Sequence, residues 1–550
     1  MEHAPHGVAA GDAPGPANYV PLSPVSLLHR AADIYPTKIA VIDGERRFTY
    51  AEFRARCCRL ASALTARGIG QGDTVAVLAP NTSAMLEAHF GVLMAGAVLN
   101  AINIRLDAPT VAYCLRHGKA RLLLVDTEFS ALAHTALGQL DAPPPTVHIE
   151  ADGFPAPAEA TDYESFIGTG DPAQRGPGAQ DEWQTVSLLY TSGTTGNPKG
   201  VLYHSRGAYL NALSNALVSG LTPDCVYLWT LPMFHCNGWT YPWAVTAVGG
   251  THVCLRKIDA GAIFDLIVRE QVTHLHGAPV VLSLLIHAPA AQKQAFDHRV
   301  EIGVGGAPPP SRVIADMERL GFRVTHLYGT TETYGPSSIC AWQTDWNTLG
   351  TDAQARLRAR QGVRMLAQED IRVVDTMSMA PVPSDGETLG EVLLRGNAVM
   401  KGYLDNPEAT EAALAGGYYH TGDLAVRHPD GYIEIRDRAK DIIISGGENI
   451  ASIEIEEALY QHPDIVEAAV VAAPDERWGE VPCAFVTVRD GAHQDAAAIV
   501  QFCRERLAHF KCPRHIIFGP LTKTATGKVQ KFALRAQARA HCDATTGAAS

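Results

Sequence analysis

Short apolar runs alternate with helical patterns along most of this chain, and that alternation restricts the fold more than any other feature. Residues 38–42, 74–78 and 122–125 read as strands, and residues 50–67 and 83–94 read as helices lying between them. A strand reaches a parallel neighbour only through a crossover long enough to hold a helix, so this order implies βαβ units. A second alternating stretch covers residues 186–339, and residues 142–182, rich in Pro, Gly, Ala and Asp, read as a surface connection. Beyond residue 441 come strand patterns at 466–472 and 484–487 and helical ones at 452–461 and 496–507, enough for a small α+β domain. The expected class is α/β: a large N-terminal domain of mostly parallel sheets flanked by helices, then the small α+β domain. The expected boundaries are a flexible arm at 1–23, a large domain at 24–438, a small domain at 439–535 and a tail at 536–550.

Composition bounds the function. A chain of 550 residues exceeds one hydrophobic core, and 46% hydrophobic with 19% charged residues is ordinary globular composition. Forty-five Lys and Arg against 58 Asp and Glu give a net charge of -13, which argues against a general nucleic-acid binder, since phosphate neutralisation needs a basic face. The 11 cysteines are scattered without a CxxC pair, the pattern of thiols in a reducing compartment. The start has no basic stretch followed by an apolar one, so no signal peptide is read. No apolar run reaches the ~18 residues of a membrane span. The ending GAAS is not a peroxisomal address, and the expected location is the cytoplasm.

The chemistry gathers in YTSGTTGNPKG, residues 190–200, directly after a strand-like run. Three glycines let backbone approach an anion closely, while hydroxyls and exposed N–H groups can bond phosphate oxygens. Lys199 adds a point charge. The GxxxxGK[ST] spacing of a Walker A loop is missing, and a polar surface turn is the bland alternative.

This segment resembles the phosphate-binding signature of the adenylate-forming superfamily of acyl-CoA synthetases, luciferases and peptide-synthetase adenylation domains. Further motifs follow in the family's order: LPMFHCNGW (231–239), GGAPPP (305–310), YGTTET (328–333), YHTGD (419–423), RDRAKD (436–441), SGGEN (445–449) and KTATGKVQK (523–531). The resemblance implies ATP, Mg²⁺ and coenzyme A as cofactors, a small carboxylic acid as substrate, a mobile small domain and a homodimer. It places Thr191, Ser192, Gly193, Thr194, Thr195, Gly196 and Lys199 on the phosphates, with Gly306, Ala307, Pro308, Tyr328, Gly329, Thr330 and Thr331 around the nucleotide. Thr191 and Glu332 are matched to the metal, Asp423 and Arg438 to the ribose, and Ile435 to the nucleotide pocket. Lys440 matches the hinge, Ser445, Gly446 and Gly447 the turn beside the pantetheine arm, and Lys528 the catalytic lysine of the small domain. Lys523 and Lys531 read as ordinary members of a basic stretch, and Thr522 departs from the proline of many relatives.

His235 matches a family histidine beside the acyl carboxylate, with two roles open to it: placing that carboxylate or shaping the coenzyme A tunnel. The acyl pocket is expected from His235, Trp239, Thr240, Gly277, Val304, Gly305, Thr333 and Tyr334, with Trp239 and Tyr334 shortening it. The 231–239 motif holds no acid that could pair with an amino group, so an uncharged tail is expected. LPMFHCNGWTYPW and RLRARQG resemble short- and medium-chain ligases, 3-methylmercaptopropionate–CoA ligases among them. The competing readings are an aryl-CoA ligase, an adenylating enzyme with a carrier-protein, amine or oxygen acceptor, and a non-catalytic adenylate binder.

Overall fold

The computed structural model describes residues 17–547 apart from 159, 178, 192–197, 307–308, 439, 447, 476, 490 and 524–528. The expected strands and helices form at or near their predicted places. Thr74–Leu78, with the apolar sequence TVAVL, is buried throughout because it is the centre of a sheet, parallel to Val98–Ala101 on one side and Ala120–Asp126 on the other. Thr49 and Glu52 form a reciprocal capping box that starts the helix Tyr50–Ala66. The helix Ser83–Met94 is buried on every face, as its nearly uniform apolar composition requires.

The large domain is built on two mainly parallel sheets. One has nine strands, with six parallel strands from Ile39–Asp43 to Phe322–Thr330 and antiparallel strands at both edges. The other has seven strands, with Thr185–Tyr190 and Gly200–His204 forming an antiparallel pair towards one edge. A four-stranded antiparallel sheet, Gln368–Val374, Gly390–Gly396, Tyr419–Arg427 and Ile433–Arg438, completes this domain. The small domain has a five-stranded sheet in which Ile465–Asp475 pairs with Gly479–Val488, and its own apolar core includes Ile443, Ile455, Leu459, Val470 and Val486.

Two expectations are corrected. Residues 142–182 are not only a connection: they hold the strand Thr146–Ile149 and the helix Tyr163–Gly168. Tyr163, Phe166 and Ile167 are buried, and the Tyr163 hydroxyl donates to the buried Glu87 carboxylate at 2.7 Å. The Pro- and Gly-rich average of that stretch hides one short amphipathic turn. Residues 536–547 of the expected tail are part of the small domain's fold as well, because the helix Lys531–Gly547 runs through them. Its Leu534, Ala538 and Cys542 pack against Ala469, Val471, Cys483 and Phe485 of the small sheet. At the other end, the expected arm lies mostly outside the described residues, and Leu22 is held by Glu182 and by the Ser205 hydroxyl.

Candidate active site

In open α/β sheets, ligands meet the carboxyl ends of strands, and the singled-out residues lie there in both large sheets. Thr191 follows Thr185–Tyr190, Gly305 follows Val300–Val304, and Thr331 follows Phe322–Thr330. The two sheets meet at this edge: Asn81, beyond Thr74–Leu78, donates to the Trp229 and Leu231 carbonyls at 2.8 and 3.0 Å and accepts from the Met233 N–H at 2.8 Å.

The phosphate loop joins two paired strands, and its mouth is tied by the Thr191 N–H donating to the Lys199 carbonyl at 3.0 Å. Ser192, Gly193, Thr194, Thr195 and Gly196 lie outside the described residues. The Lys199 ammonium sits 4.7 Å from the centre of the Tyr403 ring. The hydroxyl of that same tyrosine donates to Glu332 Oε1 at 2.9 Å. Tyr403 therefore joins the loop lysine to the acid of the YGTTET motif. Sequence reasoning missed it, since its only signal is a Gly-Tyr pair before a proline-started helix.

Beside this pair lies a polar cluster on the antiparallel sheet. Asp423 faces Arg438 across adjacent strands, with Arg438 Nε 3.2 Å from its Oδ1. The Tyr328 hydroxyl donates to Asp423 Oδ2 at 2.7 Å. Burial pushes the Tyr328 phenol well above its ordinary pKa, and the Asp423 charge adds to the effect. A carboxylate has about four acceptor positions, so Asp423 can still accept from two sugar hydroxyls. The Thr330 hydroxyl donates to that of Tyr419 at 3.3 Å, and the Ile435 N–H to Gln361 Oε1 at 2.6 Å. Tyr419 and Gln361 lie inside the motifs YHTGD and RLRARQG, but were given no role from the sequence. Gly329 has a steric reason to be glycine: a Cβ there would fall 1.7 Å from the Gly335 carbonyl oxygen. Gly306 is described, whereas Ala307 and Pro308 are not.

The acyl side is unusual. Cys236, Asn237, Gly238, Trp239 and Thr240 all have positive φ, from 48° to 66°, forming a left-handed turn directly after His235. Left-handed backbone costs a non-glycine residue about 1–2 kcal/mol, so the surroundings must enforce it. Asn215 does so by donating to the Trp239 carbonyl at 2.8 Å and to the Thr240 hydroxyl at 2.9 Å. The turn drives the Trp239 indole between Gly305 and Gly335, where added Cβ atoms would lie 2.8 and 2.7 Å from the ring. Val304 is buried behind Gly305, and the Gly305 N–H donates to the Gly277 carbonyl at 3.2 Å. His276 stacks on Tyr227 with ring centres 5.4 Å apart and lies 6.1 Å from Trp239.

Three of the expected lining residues are engaged elsewhere. The Thr240 hydroxyl is held by Asn215, and the Thr333 hydroxyl donates within its own turn, to the Thr330 and Gly335 carbonyls. Tyr334 stacks on Tyr203 at 3.8 Å and donates its hydroxyl to the His204 carbonyl at 2.7 Å. His235 Nδ1 lies 3.6 Å from Cys236 Sγ, and that thiol lies 3.7 Å from the Thr331 hydroxyl.

Past Arg438 the chain enters the small domain. Lys440 is exposed, with its pKa lowered by partial desolvation and by neighbouring Arg438. The Ser452 N–H donates to Asp437 Oδ2 at 2.6 Å, so the last strand of the large domain caps the first helix of the small one. Ser445 pairs with Gly479, and Gly446 lies under the Trp478 ring. Gly447 and Lys528 lie outside the described residues. Lys523 and Lys531 are more than members of a basic stretch. Lys523 pairs with Glu467, while Lys531 is 2.9 Å from Glu456 and bonds the Ser452 hydroxyl. Among the described residues, no helix is long and apolar enough to cross a membrane.

Comparison with known proteins agrees with this geometry. The AMP-binding enzyme profile matches residues 28–404, and the AMP-binding enzyme C-terminal domain profile matches residues 454–528. An acetate/butyrate–CoA ligase of Arabidopsis thaliana, named peroxisomal, is 50% identical over 544 residues, 95% of this chain and 96% of that protein. An acetate–CoA ligase of Humulus lupulus is also 50% identical, over 95% of this chain and 96% of its own. Among solved structures, ATP-bound MatB from Rhodopseudomonas palustris superposes with a TM-score of 0.82 at 26% identity, covering 93% of this chain and 98% of that one.

These relatives overturn the cytoplasmic expectation, because benzoate– and butyrate–CoA ligases of Arabidopsis, each 45% identical, are named peroxisomal as well. That expectation leaned on features a chain lacks, and a short receptor-read address needs neither a leader nor a membrane span. The chain belongs to the AMP-binding enzyme family, as an acid–CoA ligase that works through an acyl-adenylate.

Proposed function

We propose that the acid is short, about the size of butyrate, and that the residues described above divide the two half-reactions between them. The wedged Trp239 indole carries the size argument, since it fills the space between Gly305 and Gly335 where a longer chain would run. The relatives named for acetate and butyrate agree with that size.

In the first half-reaction, the substrate carboxylate attacks the α-phosphorus of ATP. A carboxyl–phosphorus bond forms while the bond to the bridging oxygen of pyrophosphate breaks. Thr191, Lys199 and the loop's remaining hydroxyls and N–H groups bind the phosphates, and Thr331 binds the α-phosphate. Asp423 and Arg438 hold the ribose, with Tyr328 orienting Asp423. His235 places the carboxylate, and Lys528 stabilises the charge that grows as pyrophosphate leaves. In the second half-reaction the small domain turns about Lys440, Ser445 to Gly447 approach the adenylate, and the CoA thiolate attacks the acyl carbon to expel AMP.

Magnesium fits this site. Among the described residues no group of three acids, histidines or cysteines could hold a metal alone. Magnesium commonly takes only one or two carboxylates and completes its shell with phosphates and waters. Glu332 would hold it, with the Thr191 hydroxyl near; when bound, it supplies positive charge to the phosphate oxygens.

The test is pyrophosphate release and acyl-CoA formation across acids from acetate to palmitate, with benzoate, cinnamate and 3-methylthiopropionate included. Highest kcat/KM between acetate and hexanoate supports the reading. A clear preference for octanoate or longer acids, or for the aryl acids, would overturn the pocket argument.

A further inference from the structure

We propose that Tyr403 is a positioning residue of the phosphate site, one that holds Lys199 and Glu332 apart and aims each of them at Mg·ATP. This deepens the metal assignment just made and rests on Glu332 being the metal carboxylate.

The geometry gives one side chain two opposite tasks. The ring face of Tyr403 takes the Lys199 ammonium, attracted by the negative quadrupole face. Its hydroxyl edge donates to Glu332 Oε1. Among the described residues neither Lys199 nor Glu332 enters an ion pair, although both border the same ring. Without the ring, the flexible lysine would be free to form a direct pair with the carboxylate. Each would then spend its charge on the other rather than on phosphate and metal.

Tyr403 is well fixed for the task. The two-residue strand Gly402–Tyr403 pairs with Val201 and Leu202 at the exit of the phosphate loop. On either side, the Lys401 N–H donates to the Leu202 carbonyl at 2.9 Å and the Leu404 N–H to the Gly200 carbonyl at 2.7 Å. The Tyr403 N–H itself donates to the Thr410 hydroxyl at 2.9 Å. The tyrosine is therefore held on the strand that follows Lys199. With Oε1 engaged by the phenol, Glu332 presents Oε2 in a fixed direction.

The test compares Tyr403→Phe, Tyr403→Leu and Glu332→Gln with the parent enzyme. ATP binding is measured by calorimetry with excess Mg²⁺ and again in EDTA, and thermal midpoints are recorded alongside. In Tyr403→Phe, the tightening of ATP by Mg²⁺ should shrink about tenfold, as loss of a charge-assisted hydrogen bond implies, while binding in EDTA stays unchanged. Tyr403→Leu should weaken binding in EDTA as well, because Lys199 is released onto Glu332. Glu332→Gln should lose the Mg²⁺ tightening altogether. Full tightening in Tyr403→Phe with loss in Glu332→Gln sinks this inference alone. Full tightening in Glu332→Gln sinks the metal assignment beneath it. Equal weakening in Mg²⁺ and EDTA, in step with a lowered thermal midpoint, would reduce Tyr403 to a structural residue.

Discussion

Replacing Trp239 by glycine should turn this enzyme towards longer acids. The indole is buried between Gly305 and Gly335, where we propose that it limits the acyl chain. Glycine is the informative replacement, because position 239 sits at φ 54°, where alanine would retain the left-handed penalty and glycine would not. Truncating a buried tryptophan costs about 3–5 kcal/mol of stability, of which roughly 1 kcal/mol returns through the relieved backbone. The opened volume can take extra methylenes, each worth about 0.8 kcal/mol on burial. Four of them separate octanoate from butyrate, roughly 3 kcal/mol in all, which is up to about two hundredfold in relative kcat/KM. The assay measures kcat/KM for butyrate, hexanoate and octanoate by CoA consumption, on protein shown to be folded by its thermal transition. If the folded variant loses butyrate activity without gaining on octanoate, the indole supports the site instead of limiting its length, and the reasoning fails.

Gly329→Ala should yield little native protein, because its methyl would fall onto the Gly335 carbonyl; normal expression and thermal midpoint would contradict the packing described. Lys528→Ala should depress pyrophosphate formation at least a hundredfold while thioester formation from supplied acyl-AMP falls only several-fold; equal losses would refute the division of roles. Burial lowers His89, His204 and His326 to about 4 and His252 to about 3. The unfolded chain binds protons at these positions near pH 6.5 while the folded one does not, so stability is full above that pH. It should fall by about 1.4 kcal/mol per histidine per pH unit as the pH drops towards 4. Urea midpoints measured from pH 7.5 to 5 check this, and a flat profile would contradict it.

Much of the fold was legible because its signals are local. The TVAVL run forms the strand it suggests, and the helix expected from residue 50 begins there, capped by Thr49 and Glu52. Asp423, Tyr328 and Arg438, more than 95 positions apart at their extremes, were named from motifs and come together in space. What escaped depends on contacts that no local pattern records. Tyr403 acts through one hydroxyl and one ring face supplied to residues in two other segments. The left-handed turn at 236–240 contains asparagine and glycine, which tolerate such backbone, but also Cys236, Trp239 and Thr240, which do not. Tertiary hydrogen bonds from Asn215 decide it. The helix ending at Gly547 was missed because its apolar positions are mostly alanine and carry little hydrophobic signal.

The distribution of cysteine offers a clock for this molecule. All 11 thiols are buried, and none forms a disulfide among the described residues. Burial raises thiol pKa values in both domains, well above the ordinary value at Cys57 and Cys254 and to about 12 at Cys114, Cys225, Cys236, Cys340 and Cys483. Thiolate, the species that alkylating reagents attack, is thus scarce in the native state, and access requires the chain to open. The rate at which each cysteine is labelled therefore reads the opening free energy of its surroundings, with Cys57 and Cys254 timing the large domain and Cys503 the small one. Eleven native probes need no engineering, and their separate rates would show whether the two domains open together or in turn.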